Sequence, residues 1–111
     1  MQNFQLMEVK DIFNISSIGV LVAPLFDLPP DGKWKPFSEV VIIQAPDGSS
    51  FEFKADFSVM HLNIKDPNIS VAKRWQIAVS FKGIEKSQIP IGSKVLVSAE
   101  AIEMVTGINP H

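Results

Sequence analysis

An all-β protein is predicted, a small closed or nearly closed antiparallel barrel of about six strands, and three observations predict it. Trp75-Gln76-Ile77-Ala78-Val79-Ser80-Phe81 alternates apolar and polar or small residues without a break, the period of a half-buried strand. Pro46-Asp47-Gly48-Ser49 is a strong hairpin turn, and it separates two apolar segments. Only two short stretches, around Glu85 to Gln88 and Ser98 to Val105, could be helical. The turn signals lie close enough together for the strands to wrap into a barrel.

Each element has its own reason. Phe4 to Val9 is short, apolar and partly alternating, and reads as a strand. Ile12, Phe13 and Ile15 follow, and Ser16-Ser17 makes a turn or bulge. Ile18 to Val22 reads as a second strand, apolar on both faces. Pro24 and Leu28-Pro29-Pro30-Asp31-Gly32 form a loop, because proline supplies no ladder donor and glycine tolerates positive φ. Val40 to Ile43 is β-branched throughout, which predicts a strand buried on both sides. Beyond the turn, Phe51, Phe53, Ala55, Phe57 and Val59 share one parity, and Glu52, Lys54, Asp56 and Ser58 take the other. That is a long half-buried strand. Asn63 to Ser70 is a loop around Asp66-Pro67-Asn68. Trp75, Ile77, Val79 and Phe81 are then expected to face in, with Gln76, Ser80 and Lys82 facing out. A last strand runs over Val95-Leu96-Val97.

With 111 residues, one domain spanning 1–111 is expected, able to bury roughly 65% of its unfolded surface without staples. A net charge of −2 argues against a general nucleic-acid binder, for which a basic domain is expected, while leaving room for a local basic patch. The absence of cysteine excludes disulfides, thiolate metal sites and thiol catalysis. Met1-Gln2-Asn3-Phe4-Gln5 lacks the basic and apolar regions of a signal peptide. No run approaches the ~18 apolar residues of a membrane helix. A soluble cytoplasmic protein without membrane contact is the expectation.

Three segments resemble domain 2 of the translation GTPases, the β-barrel that follows the nucleotide-binding domain in elongation factor Tu and its relatives. Val9-Lys10-Asp11-Ile12-Phe13-Asn14-Ile15-Ser16-Ser17-Ile18-Gly19-Val20-Leu21-Val22 is similar to the family's opening strand, acidic-apolar-Phe motif, short turn and Gly-Val-Val-like strand. Gly32-Lys33-Trp34-Lys35-Pro36-Phe37-Ser38-Glu39-Val40-Val41-Ile42 keeps the first Gly, the Lys, the Val and the Ile of the family's Gly-x-apolar-Lys-x-Gly-acidic-x-Val-x-Ile. Val79 to Val97 looks like its basic-Gly-Ile, then Ile, then Gly before the final strand. The likeness covers about residues 4–98 and leaves 99–111 as a C-terminal extension.

The departures are equally definite. No Gly-x-x-x-x-Gly-Lys-[Ser/Thr] loop is present, so a stand-alone barrel without the GTPase domain, neither binding nor hydrolysing GTP, is expected. Ser17-Ile18-Gly19 replaces the family's Gly-basic-Gly turn, removing the cation that would meet a ribosomal RNA phosphate. Phe37 stands where the family places its second Gly.

The resemblance implies a pocket for the aminoacyl end of a tRNA, involving Asp11, Phe13 and Gln76. The plainer reading is that Phe13 fills one end of the barrel and Asp11 caps a turn. Two clusters set an indole among cations, Lys33-Trp34-Lys35 and Lys73-Arg74-Trp75. Either could stack a base beside a phosphate-binding cation, or anchor a protein interface. Trp75 has the inward parity of Ile77 and Val79, so Trp34, in a polar loop, is the better surface residue.

Enzyme chemistry finds little footing. His61 shares parity with Phe57 and Val59 and reads as a structural histidine, and His111 is terminal. Neither a His-x-x-x-His pair nor a nucleophile elbow occurs. The sequence therefore points to a non-catalytic module without cofactor or metal. Its expected partner is another protein, in a regulatory or immunity-type role. The alternative is RNA, as a tRNA aminoacyl end or ribosomal RNA.

Overall fold

The computed structural model describes residues 4–16, 18–28, 34–61 and 75–107, with main chain alone at His61 and Trp75. Its strands are β1 (Phe4–Glu8), β2 (Asp11–Ile15), β3 (Gly19–Asp27), β4 (Phe37–Gln44), β5 (Ser50–His61), β6 (Trp75–Phe81) and β7 (Lys94–Val97), followed by helix α1 (Ala99–Thr106). All strand pairs are antiparallel, in one sheet of order β1-β7-β4-β5-β6-β3-β2. The sheet curls into an open half-barrel. Among the described residues no helix is long and apolar enough to cross a membrane.

The expectation of about six strands in a closed or nearly closed barrel thus gives way to seven in an open one. The added strand is β2, whose Asp11–Ile15 pairs with Ala23–Gly19. The two edge strands, β1 and β2, are consecutive in the chain. Val9 and Lys10 join them at a corner, where Val9 N–H donates to Ser93 O (2.7 Å) and Lys10 N–H to Ala23 O (2.9 Å). Neighbouring residues there hold opposite flanks of the sheet. Helix α1 packs against both β1 and β3, burying Ala101, Ile102 and Val105.

The hairpin between β4 and β5 forms as its sequence predicts. Gly48 N–H donates to Ala45 O, Ala45 N–H donates to Ser49 O, and Gly48 takes φ +93°. This is a turn followed by a left-handed glycine, which matches the twist of the flanking strands. Asp47 accepts from Ser49 N–H (2.9 Å) and from the Ser49 hydroxyl, and these bonds hold its carboxyl below the ordinary carboxylate range.

The concave face holds the core. Val20, Val22, Val41, Ile43, Ala55, Phe57, Ile77, Val79 and Phe81 are buried there together. The inward parity expected for β5 and for β6 from Ile77 on is therefore observed, while the side chains of Trp75 and His61 lie outside the described residues. Two expectations need correction. The β4 run is not buried on both sides, since Val40 is 62% exposed and only Val41 and Ile43 are buried. Ser80 does not face solvent: it lies on the outer face, yet it is 2% exposed, and Leu21 and Ala78 beside it are buried too.

Candidate functional site

The sequence-expected pocket residues share the outer face of the sheet, opposite the core. Phe13 pairs with Leu21, Leu21 with Ser80, and Ser80 with Asp56. Asp11 has the parity of Phe13, and Gln76 that of Ser80. They are not gathered into one pocket. Gln76 stands two strands from β2, and its Nε2 donates to Asp27 Oδ1 at 3.0 Å. Asp11 Oδ1 accepts from Ile12 N–H at 2.8 Å, so it caps the main chain of its own strand. Phe13 is 45% exposed and does not fill the barrel.

Trp34 turns inward. It is half-buried, packs against the core and contacts Phe37, ring centroids 6.0 Å apart. Phe37 in turn stacks on Phe57 at 4.4 Å with the rings nearly parallel. The Trp34 indole Nε1 is buried without a hydrogen-bond partner among the described residues. Lys35 beside it is exposed. Lys33, Lys73 and Arg74 lie outside the described residues.

The opposite rim carries a feature that sequence reasoning missed. Phe51 has the inward parity of Phe53 and Phe57, yet it is 48% exposed. A line of aromatics leads out to it from the core, Phe81 to Phe53 at 6.3 Å and Phe53 to Phe51 at 6.4 Å. Facing these rings is the β6–β7 connection. Its single 3-10 turn at Lys86–Gln88 is held by Glu85 N–H donating to Gln88 Oε1 at 2.7 Å. Ser93, fully buried, donates its hydroxyl to Pro90 O at 2.6 Å and fixes the following bend.

Two grooves flank this connection. One, of about 270 Å³, is lined by Ala45, Phe51, Phe53, Gln88 and Pro90. The other, of about 340 Å³, runs beside β2 between Asp11 and Ile12 on one side and Lys86, Pro90 and Ile91 on the other. Ile91 is 55% exposed. The only sequence signal for Phe51 was its place just past the turn, where a strand leaves the core. Inward parity argued the other way.

Charge chemistry is sparse here. Among the described residues no group of three His, Asp or Glu could hold a metal. Glu8 is held below the ordinary carboxylate range, first by its hydrogen bond from Lys10 and then by that ammonium's charge, in an exposed ion pair. Such a pair supports local geometry and no reaction.

No family model, curated protein or solved structure matches the chain. Among the described residues the fold is an open antiparallel half-barrel of seven strands with one short helix, Ala99–Thr106.

Proposed function

We propose that this protein is a non-catalytic binding module that recognises another protein, in a regulatory or immunity-type role, as a stand-alone barrel of the translation-factor domain 2 kind. The observation that carries the reading is Phe51, a core-parity aromatic half exposed above an apolar groove. Large aromatics at a concave rim, backed by packed side chains, are the usual anchors of protein interfaces. The likeness in three ordered motifs supports the barrel type. The inward packing of Trp34 leaves less ring surface for stacking a base, so the structure adds nothing to the RNA alternative.

The test uses the partner captured from the source cells, purified and titrated back. Phe51→Lys should weaken that binding by about 2 kcal/mol or more, the hot-spot scale, and leave the unfolding midpoint unchanged. Trp34→Ala is the companion variant. Affinity should change little between about 50 and 200 mM salt, where phosphate contacts would cost orders of magnitude. Unaltered binding by Phe51→Lys, or tight and steeply salt-dependent binding of bulk tRNA, overturns the reading.

A further inference from the structure

We propose that the partner supplies an extended segment, added as a strand to the uncovered margin of β5 and running antiparallel to Ser50–Lys54 beside Phe51. This rests on the protein-binding reading above and names what the bound segment is. The two neighbours of β5 cover it unequally. β4 pairs with it over Ser50–Phe57, whereas β6 pairs with it only over Asp56–His61. From Ser50 to Ala55, no strand stands on the β6 side among the described residues. The cause lies in β6 itself. One step past Phe81 in its register, Lys82 would stand against Lys54, like charges directly opposed. The chain instead turns off at Gly83, φ +76°, and crosses to β7.

The main chain of this margin has the phase that a further strand needs. Ala45 N–H donates to Ser49 O at the mouth of the hairpin, and hydrogen-bonded and non-hydrogen-bonded pairs alternate from there. Phe51 and Phe53, opposite Ile43 and Val41, therefore bond to β4. Ser50, Glu52 and Lys54 direct their N–H and C=O to the other side. Asp56, two residues on, shares that side, and its carbonyl accepts from the Ser80 hydroxyl of β6 at 3.5 Å. Groups at strand spacing are met by another extended chain, through main-chain bonds for affinity and side-chain pockets for specificity. The groove of about 270 Å³ between Phe51 and Phe53 and the wall of Ser87, Gln88 and Pro90 takes one strand's inward side chains, not a second sheet.

The side chains along the margin specify the segment's chemistry. The positions facing Phe53 and Phe51 are non-hydrogen-bonded, where cross-strand side chains lie closest. Both point inward, so both are apolar, and the second covers the Phe51 ring that is otherwise half exposed. Between them, the residue facing Glu52 makes a reciprocal hydrogen-bonded pair, and its outward side chain is Lys or Arg, since Glu52 is exposed on the outer face. One position before the residue facing Phe53, the outward side chain comes to Lys54 and Lys82, both exposed, and is Asp or Glu. From its N-terminus the segment therefore reads acidic, apolar, basic, apolar. Lysine at a sheet edge guards against unselected pairing. Here the alternation of Glu52 and Lys54 admits one charge order and opposes the reverse.

The probes are the peptide Thr-Glu-Val-Lys-Val-Thr and its charge-swapped form Thr-Lys-Val-Glu-Val-Thr, titrated into the isotope-labelled full chain and followed by NMR. The first should bind saturably with a Kd at or below about 1 mM, shifting the amide signals of Glu52 and Lys54 and slowing their exchange with solvent. The second should bind about ten-fold more weakly or worse, because two attractive pairs become repulsive. Glu52→Lys combined with Lys54→Glu should reverse that preference, and both side chains are exposed, so the fold is spared. Methylating the main-chain nitrogen of the peptide's lysine should abolish binding while every side chain stays in place. Failure of the first peptide to bind, equal affinity for the two, or undiminished binding of the methylated form overturns the proposal. So does a free chain that dimerises through this margin in competition with the peptide. The purified partner separates the two levels. If Phe51→Lys weakens its binding while charge reversal at Glu52 and Lys54 does not, the extended segment is refuted and the binding module stands.

Discussion

Among the described glycines, Gly19 carries the tightest constraint. Its φ is +95°, and a Cβ built there would lie 2.4 Å from the carbonyl oxygen of Phe81. The backbone must be left-handed at this point, and it passes so close to β6 that no side chain fits. Gly48 also has positive φ, +93°, but nothing stands within 4 Å of its would-be Cβ. Gly19→Ala should therefore destabilise the protein by about 2 kcal/mol or more, combining backbone strain with displacement of β6. Gly48→Ala should cost only the strain. Urea midpoints of the two variants check this, and equal midpoints would mean that β3 can move away from Phe81. The sequence marked Gly19 as part of a turn. It held no sign of the close approach, which depends on a strand about sixty residues further on.

At the scale of elements, α1 shows how a local signal and a distant one combine. Ser98 caps the helix, accepting from Ala101 N–H at 3.1 Å, and Gly107 ends it at φ +74°. The sequence offered Ser98 to Val105 as a possible helix without naming its caps, although caps are local chemistry. Glu39 was not legible. It sits on β4 with inward parity, and its carboxylate accepts from Ser98 N–H at 3.2 Å and Ser98 Oγ at 3.0 Å. A negative group thereby meets the positive end of the helix. Sequence alternation had no means of pairing residues 39 and 98. β2 was illegible for a similar reason: Asp and Asn interrupt its pattern, and only its partner β3 makes it a strand. Ser98→Ala should cost about 1 kcal/mol. With Glu39→Ala the two losses should be less than additive by about 0.5 kcal/mol or more, as for groups in one network. Strict additivity in thermal unfolding would show that Glu39 does not support the helix.

For the whole molecule, the question is whether an open half-barrel has one core or two. One continuous cluster joins all seven strands, with Ile12 from β2, and α1. Phe57 and Phe81 lie deep within it, 1% and 0% exposed. Phe26 packs on its margin, beyond the register shift of β3, and remains partly exposed. If folding is a single cooperative burial, Phe57→Ala and Phe81→Ala should each cost about 3–5 kcal/mol, through lost transfer energy and an unfilled cavity. Phe26→Ala should cost less, because its site already opens to water. Both core variants should keep a single urea transition with an unchanged slope, since the surface exposed on unfolding is nearly the same. A lowered slope or a second transition in one of them would mean that the two flanks unfold separately. The Val9–Lys10 corner and α1 would then join two half-cores. Equal costs at all three positions would instead place Phe26 in the interior and move the opening of the barrel elsewhere.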